Sequence, residues 1–181
     1  MARAFFYAFI ALLYASVFAA PTTSDTSDAS IEGFSIGDII NALGIGFVTH
    51  IHVVISLESL TTNLVSIDFD VKNPLPLELT IDKITSSAGI NGTEYANFSH
   101  TFDGGLVVPP LGSVNSGTID NVLLTQGALA SLDIIPLGFL DLLNTDTNVR
   151  AATIVGHLGI PIPLDGLKQK NVATAYDLSL S

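Results

Sequence analysis

Residues 66–84 read SIDFDVKNPLPLELTIDKI, and this stretch constrains the fold more than any other. Apolar residues alternate with polar ones on both sides of its two prolines: Val65, Ile67, Phe69 and Val71 come before, and Leu77, Leu79 and Ile81 come after. A period of two predicts strands with one buried face and one wet face, which is the antiparallel pattern.

The prolines between these runs tell how the two strands connect. Proline donates no hydrogen bond to a ladder, and it keeps the preceding residue extended. Asn73-Pro74 and Leu75-Pro76 therefore end the pairing without breaking the direction of the chain. We expect the segment to cross from one sheet to another or to bulge at a sheet edge.

The same period recurs along most of the chain. It begins at Val48, and Asn91-Gly92 stands between two extended runs, which is a strong hairpin signal. A final GIPIPLDG, residues 159–166, reads as a second crossover before the last strand. Together these runs predict a seven-stranded antiparallel β-sandwich of the immunoglobulin or fibronectin type.

One or two short helices are expected to accompany the strands. Residues 34–47 carry apolar side chains at helical spacing, with Ser35 and Asp38 placed for a capping box. Residues 125–144 are rich in leucine and predict a second helix, kinked or restarted at Pro136.

The start of the sequence predicts export. Residues 1–19 combine Arg3, an apolar run and small residues, the layout of a secretory signal peptide, and the run is too short for a typical membrane span. Residues 20–33 are rich in Ser and Thr and predict a disordered leader, followed by one sandwich domain over 34–181. The expected location is extracellular or at the cell surface, with the vacuolar lumen as an alternative.

The composition of the chain indicates how the domain is stabilised and which binding partners are disfavoured. The 181 residues are 48% hydrophobic and contain no Cys, so a packed core rather than disulfides must stabilise the domain. The formal net charge of −11 disfavours nucleic acid and anionic headgroups as partners.

Two histidines form the candidate metal site. His50 and His52 are two residues apart on a strand, so their rings share a face, as in some zinc or copper sites. A third ligand cannot be chosen from spacing, and His100 and His157 remain open. The alternative is a solvated face or imidazoles that form hydrogen bonds between sheets.

Two acidic residues are also spaced two apart on a predicted strand. Asp68 and Asp70 share a face and could contribute to a calcium site, although no loop concentrates the six to eight oxygens that calcium needs. The preferred interpretation is that these acids, with Glu78 and Asp82, prevent pairing at an exposed sheet edge.

Ser35 lies in GFSIG, which matches the nucleophile-elbow pattern of hydrolases. That elbow requires a strand before the serine, and a disordered leader is expected there, so a helix cap explains Ser35 better. No catalytic residue and no cofactor are predicted.

Asn91 in NGT and Asn97 in NFS are glycosylation sequons. Both are odd-numbered along a run whose even side carries Phe98 and Phe102. We expect both to point to water and to be usable on the secretory route.

VKNPLPLELTI, a later VPPLGS and the final GIPIPLDG resemble the water-stress and hypersensitive-response domain of atypical, folded late embryogenesis abundant proteins. The chain is more similar still to fungal secreted or vacuolar proteins of unknown function related to that domain. The resemblance, over about residues 48–180, implies a seven-stranded sandwich with a helix, no established catalysis, and a protective role in dehydration for the plant and bacterial members.

Three functions follow as expectations. The first is a secreted, non-enzymatic structural or stress-protective module, in contact with the cell wall or free outside the cell. The second is a binding module for a lipid or another apolar ligand, indicated by the high hydropathy of the sequence. The third is a metal-dependent enzyme that uses His50 and His52.

Overall fold

The computed structural model describes residues 30–31, 34–35 and 46–179. Its strands are β1 (Ser30–Ile31), β2 (Phe34–Ser35), β3 (Val48–Ser56), β4 (Leu64–Lys72), β5 (Leu79–Ile90), β6 (Thr93–Val108), β7 (Ser113–Asn115), β8 (Ile119–Leu124), β9 (Phe139–Ala151) and β10 (Ile160–Ser179). Its helices are α1 (Ser59–Thr62), α2 (Ala128–Ser131) and a 3-10 helix (Leu132–Leu137). The chain is mainly β, as predicted.

Seven of these strands form a closed barrel. They pair in the order β3-β10-β9-β5-β6-β8-β4, and β4 pairs again with β3, which closes the ring. β7 adds to β4 at Asp70–Lys72, and β1 and β2 pair with each other. The predicted immunoglobulin-like sandwich is therefore wrong, because one sheet curls onto itself where a sandwich has two separate sheets. The pairing is also not fully antiparallel, since β3 and β10 run parallel.

The closure depends on the shape of β10. Its residues up to Ala173 pair with β9, and its residues from Ala173 onward pair with β3, so the strand passes from one neighbour to the other. Register shifts against β9 fall between Leu164 and Leu167, Leu167 and Gln169, and Gln169 and Val172. Such bulges bend a strand and increase its twist, which lets β10 reach both neighbours. The predicted crossover at residues 159–166 is instead the start of this strand, where only one neighbour requires donors and prolines are tolerated.

The alternation predicts the inside of the barrel correctly. Val65, Ile67, Phe69 and Val71 are 3–7% exposed, and Leu79 and Ile81 are buried with them. Leu57, which would continue the alternation of β3, is 61% exposed, because β3 ends at Ser56.

The proline segment connects β4 to β5 across one end of the barrel. Both strands belong to the same closed sheet, so the segment does not pass between two sheets. Asn73 is fully buried there. Its amide nitrogen donates to the carbonyl oxygens of Leu77 at 2.7 Å, Val108 at 3.2 Å and Pro109 at 3.1 Å.

Two local predictions have clear outcomes. The hairpin at Asn91-Gly92 is confirmed: Ile90 pairs with Thr93, and both turn residues have positive φ, 51° and 82°. The second helix is only partly right, because helical structure ends at Leu137 and Phe139 already begins β9. Gly138, in the left-handed conformation at φ 68°, makes this change of direction.

The remaining N-terminal predictions lie mostly outside the described residues. This holds for the signal peptide, for residues 20–29 and 32–33 of the leader, and for 36–45 of the helix expected over 34–47. Ser35 itself belongs to β2 and pairs with Ser30. In the part of the chain that the structure describes, no helix has the length and apolar character to cross a bilayer.

Candidate functional site

His52 lies on the outer face of the barrel, between two acids from neighbouring strands. Its Nδ1 is 2.9 Å from Oδ2 of Asp68 on β4, and its Nε2 is 3.0 Å from Oδ2 of Asp177 on β10. The hydrogen bond with Asp68, and then the one with Asp177, raise the pKa of His52 above its ordinary value of 6.5. The pKa of Asp68 is lowered, first by the Asn115 amide and then by His52.

This arrangement does not form a metal centre. The two acids bind opposite nitrogens of one ring, so they converge on His52 and not on a common point in space. His50 is on the same face, whereas His100 contacts the Phe102 ring at 4.7 Å on β6 and His157 lies in a tight turn with Ile154. Over the described residues, no group of three or more His, Cys, Asp or Glu side chains is placed to hold a metal ion.

The prediction that the acids on β4 protect a sheet edge is wrong, because β4 has partner strands on both sides. Asp68 and Asp70 each accept a hydrogen bond from the Asn115 amide, at 2.8 and 2.9 Å. The other two acids are linked to the loop after β9, Glu78 directly and Asp82 through Arg150, whose Nη1 donates to the carbonyls of Gly156 and Leu158 at 2.8 Å. Glu78 accepts from the Gly156 amide at 3.0 Å, and Asp82 pairs with two of the three guanidinium nitrogens of Arg150, Nε at 2.7 Å and Nη2 at 2.6 Å.

The two sequons occupy different surroundings. Asn91 is exposed at the tip of the β5–β6 hairpin. Asn97 is half-buried within β6, and its amide donates to Oε1 of Glu94 at 2.7 Å. A glycan on Asn91 has free access to solvent, whereas one on Asn97 must displace this hydrogen bond.

The interior of the barrel holds an apolar cavity of about 60 Å³. Side chains from all seven strands of the barrel and from the helices line it, among them Ile55, Val65, Leu124 and Leu140. Such a wall excludes ions and offers dispersion contacts to an apolar molecule.

The polar side chains at this cavity differ in whether their hydroxyl groups have a hydrogen-bond partner. Ser86 and Thr145 form a hydrogen bond with each other at 2.7 Å, and Ser131 donates to the Gly127 carbonyl at 2.9 Å. The hydroxyl of Tyr176 is buried and has no hydrogen-bond partner among the described residues. Burial raises the pKa of Tyr176 to about 12.

A helical cap, residues 128–137, covers the end of the barrel near the cavity. Ser131 and Ile134 line the cavity from this side. The cap is attached at both ends: the Ala128 amide donates to Oδ1 of Asn63 at 2.9 Å, and the Thr174 amide on β10 donates to the Gly138 carbonyl at 2.9 Å.

A groove of about 440 Å³ lies on the outside of the wall, at the seam between β6 and β8. In the described chain, these strands pair only at Ala96–Leu124 and Asn97–Leu123. Phe98 lines both the groove and the inner cavity, and its ring centroid is 6.2 Å from that of Phe69 inside the barrel.

Sequence reasoning did not select Tyr176. A usable signal was present, because Val172, Thr174 and Tyr176 alternate with Ala173, Ala175 and Asp177 and so share one face. That this face looks into a cavity depends on the strands that surround it, which one strand does not reveal.

Comparisons with known proteins define no family for this chain. No family model matches it, and a search of curated proteins finds no match. Among solved structures it is similar to a protein from Archaeoglobus fulgidus, with 11% sequence identity over 61% of this chain and 87% of that chain, at a TM-score of 0.30.

Proposed function

We propose that this protein is a non-enzymatic binding protein that holds a small apolar molecule inside its barrel. The observation that carries the proposal is the apolar cavity beneath the helical cap, where the buried hydroxyl of Tyr176 has no hydrogen-bond partner among the described residues. Pockets for small molecules commonly combine an apolar wall with few polar groups, and the mouths of β-barrels are frequent locations.

The volume of the cavity defines the size of the ligand. At about 60 Å³ it exceeds the roughly 10–15 Å³ that one water needs, and it is smaller than the engineered cavity of about 150 Å³ that binds benzene. A molecule of about three or four heavy atoms matches this space. A lipid chain does not, unless the helical cap moves outward.

The seam between β6 and β8 supplies the route inward. Few ladder hydrogen bonds join these strands, so they can separate at lower cost than the other pairs. Phe98 stands between the groove and the cavity, and rotation of its ring opens the wall at this point.

The protective role implied by the family resemblance has no specific contact in its support, so we prefer the binding function. The predicted signal peptide sets the compartment that we propose for it: outside the cell, at its surface, or in the vacuolar lumen. In that compartment Asn91 is the more accessible of the two sequons.

Titration with xenon and with 2-methylpropene tests the proposal. We expect saturable shifts of the methyl NMR signals of Val65, Leu140 and other cavity residues, with dissociation constants on the order of 1 mM for ligands this small. Ala96→Val places two more methyl groups at the cavity and is expected to weaken the binding. Ala175→Val, on the exposed face of β10, is the matched control.

Two results contradict the proposal. Cavity methyl signals that do not respond to either probe exclude binding inside the barrel. Shifts that persist unchanged in Ala96→Val locate the binding elsewhere.

A further inference from the structure

The hydroxyl of Tyr176 is energetically costly in its position. A buried hydroxyl without a partner loses its hydrogen bonds to water and gains none from the protein, which destabilises the folded state. Buried tyrosines usually find a partner for this reason. Phenylalanine would fill the same space and pack against the same neighbours without that cost.

The serine and threonine hydroxyls at the cavity are not the partner of Tyr176, because none of them lies within hydrogen-bond distance of its hydroxyl. Ser86 and Thr145 are bonded to each other, and Ser131 is bonded to a carbonyl of the chain. Their hydroxyl groups have partners within the barrel wall, whereas the Tyr176 hydroxyl is the buried side-chain donor that has none among the described residues. Its pKa of about 12 keeps the phenol neutral and protonated at physiological pH, as a donor must be.

We infer that Tyr176 is the recognition group of the cavity and donates a hydrogen bond to the oxygen of a small apolar ligand that carries one carbonyl or hydroxyl group. This inference rests on the proposed binding function and makes it more specific. The ligand class is that of short ketones and alcohols: the carbon skeleton contacts the aliphatic wall, and the single oxygen satisfies the phenol. A ligand with a charge is excluded, because no opposite charge is present among the described residues that line the cavity.

Acetone and 2-methylpropene form a suitable pair of probes, since they have nearly the same shape and differ in C=O against C=CH2. Both are titrated into the wild type and into Tyr176→Phe. The expected result is that the variant binds acetone roughly five- to tenfold more weakly, the effect of one hydrogen bond of about 1 kcal/mol, and binds 2-methylpropene as well as the wild type does. The Cζ signal of Tyr176 should shift with acetone and much less with 2-methylpropene.

The outcomes separate the inference from the function beneath it. If the wild type binds neither probe, the proposed function is wrong and the inference falls with it. If both probes bind and Tyr176→Phe weakens neither, or both equally, the cavity binds ligands but Tyr176 does not donate a hydrogen bond to their oxygen. The stability of the variant provides a second check, because removing an unpartnered hydroxyl should leave it unchanged or raised. A variant that unfolds at a clearly lower urea concentration than the wild type shows that the hydroxyl already has a partner in the free protein and overturns the inference.

Discussion

At the scale of single residues, Asn73 joins three chain segments at the end of the barrel opposite the helical cap. Its side-chain amide donates to the carbonyl of Leu77 in the connection to β5 and to that of Val108 at the end of β6. Its Oδ1 accepts from the Leu75 amide at 2.9 Å. Its backbone amide donates to the Gly112 carbonyl at 2.9 Å. The prolines leave this connection with few donors of its own, so one buried side chain satisfies carbonyls that no strand can reach.

Asn73→Ala should therefore destabilise the protein by about 2–4 kcal/mol, because it leaves several buried carbonyls unpaired. Urea unfolding measures the loss. Asn148→Ala, at an exposed position on β9, is the control and should change stability by no more than about 0.5 kcal/mol. Equal effects of the two substitutions would show that the network around Asn73 contributes little.

At the scale of elements, β3 has the central place in the closure of the barrel. It pairs antiparallel with β4 on one side and parallel with β10 on the other. His52 connects all three strands on the outer surface through Asp68 and Asp177. His50 and Asp70 are the nearest other titratable groups on this face, where they are paired across β3 and β4.

The pH dependence of stability should reveal this link. Because the folded state raises the pKa of His52, its contribution is complete below 6.5 and is lost as the pH rises through the raised value. Because the pKa of Asp68 is lowered, its contribution is present above 3.8 and is lost as the pH falls through the lowered value. The trio therefore stabilises most between these two limits.

Urea unfolding of the wild type and His52→Gln at a series of pH values measures the effect. We expect a difference of up to about 1 kcal/mol near pH 5.5 that declines toward pH 8.5, in line with exposed ion pairs. His50→Gln on the same face is the matched control. A difference between wild type and His52→Gln that stays constant across this range would rule out the ion-pair contribution.

At the scale of the whole molecule, the extent of strand pairing differs around the circumference of the barrel. β9 is paired along most of its length with both β5 and β10. β8 has six residues and meets β6 at two positions. The cavity, the groove and Phe98 all lie beside this weaker seam.

Native-state hydrogen exchange should map this asymmetry. We expect the amides of β9 near Val149 to exchange most slowly, and those of β8 and of β6 after Phe98 to exchange faster, through local opening. A saturating apolar ligand should slow exchange at the seam. Protection that is uniform around the barrel would contradict both the weak seam and the proposed route inward.

The sequence alone determined which residues face inward and where several turns lie. The alternation gave the buried face of β4 and the inward direction of Leu79 and Ile81 correctly, although Thr80, on the polar side of β5, is also fully buried. Asn91-Gly92 marked its hairpin, because side-chain direction and turn geometry are local properties of the backbone. The sequence also pointed to Asn73 and His52 as unusual positions, although it assigned neither of them its partners.

The tertiary structure decided everything that depends on strand neighbours. A strand with one dry face has the same alternating sequence pattern in a sandwich and in a barrel. Only the bulges of β10 and its parallel pairing with β3 show that the sheet closes. The acids of β4 became partners of His52 and Asn115, where edge protection had been expected, for the same reason. Closure also created the cavity and brought Tyr176 to it, because a cavity belongs to several strands at once and is not encoded in the period of any one of them.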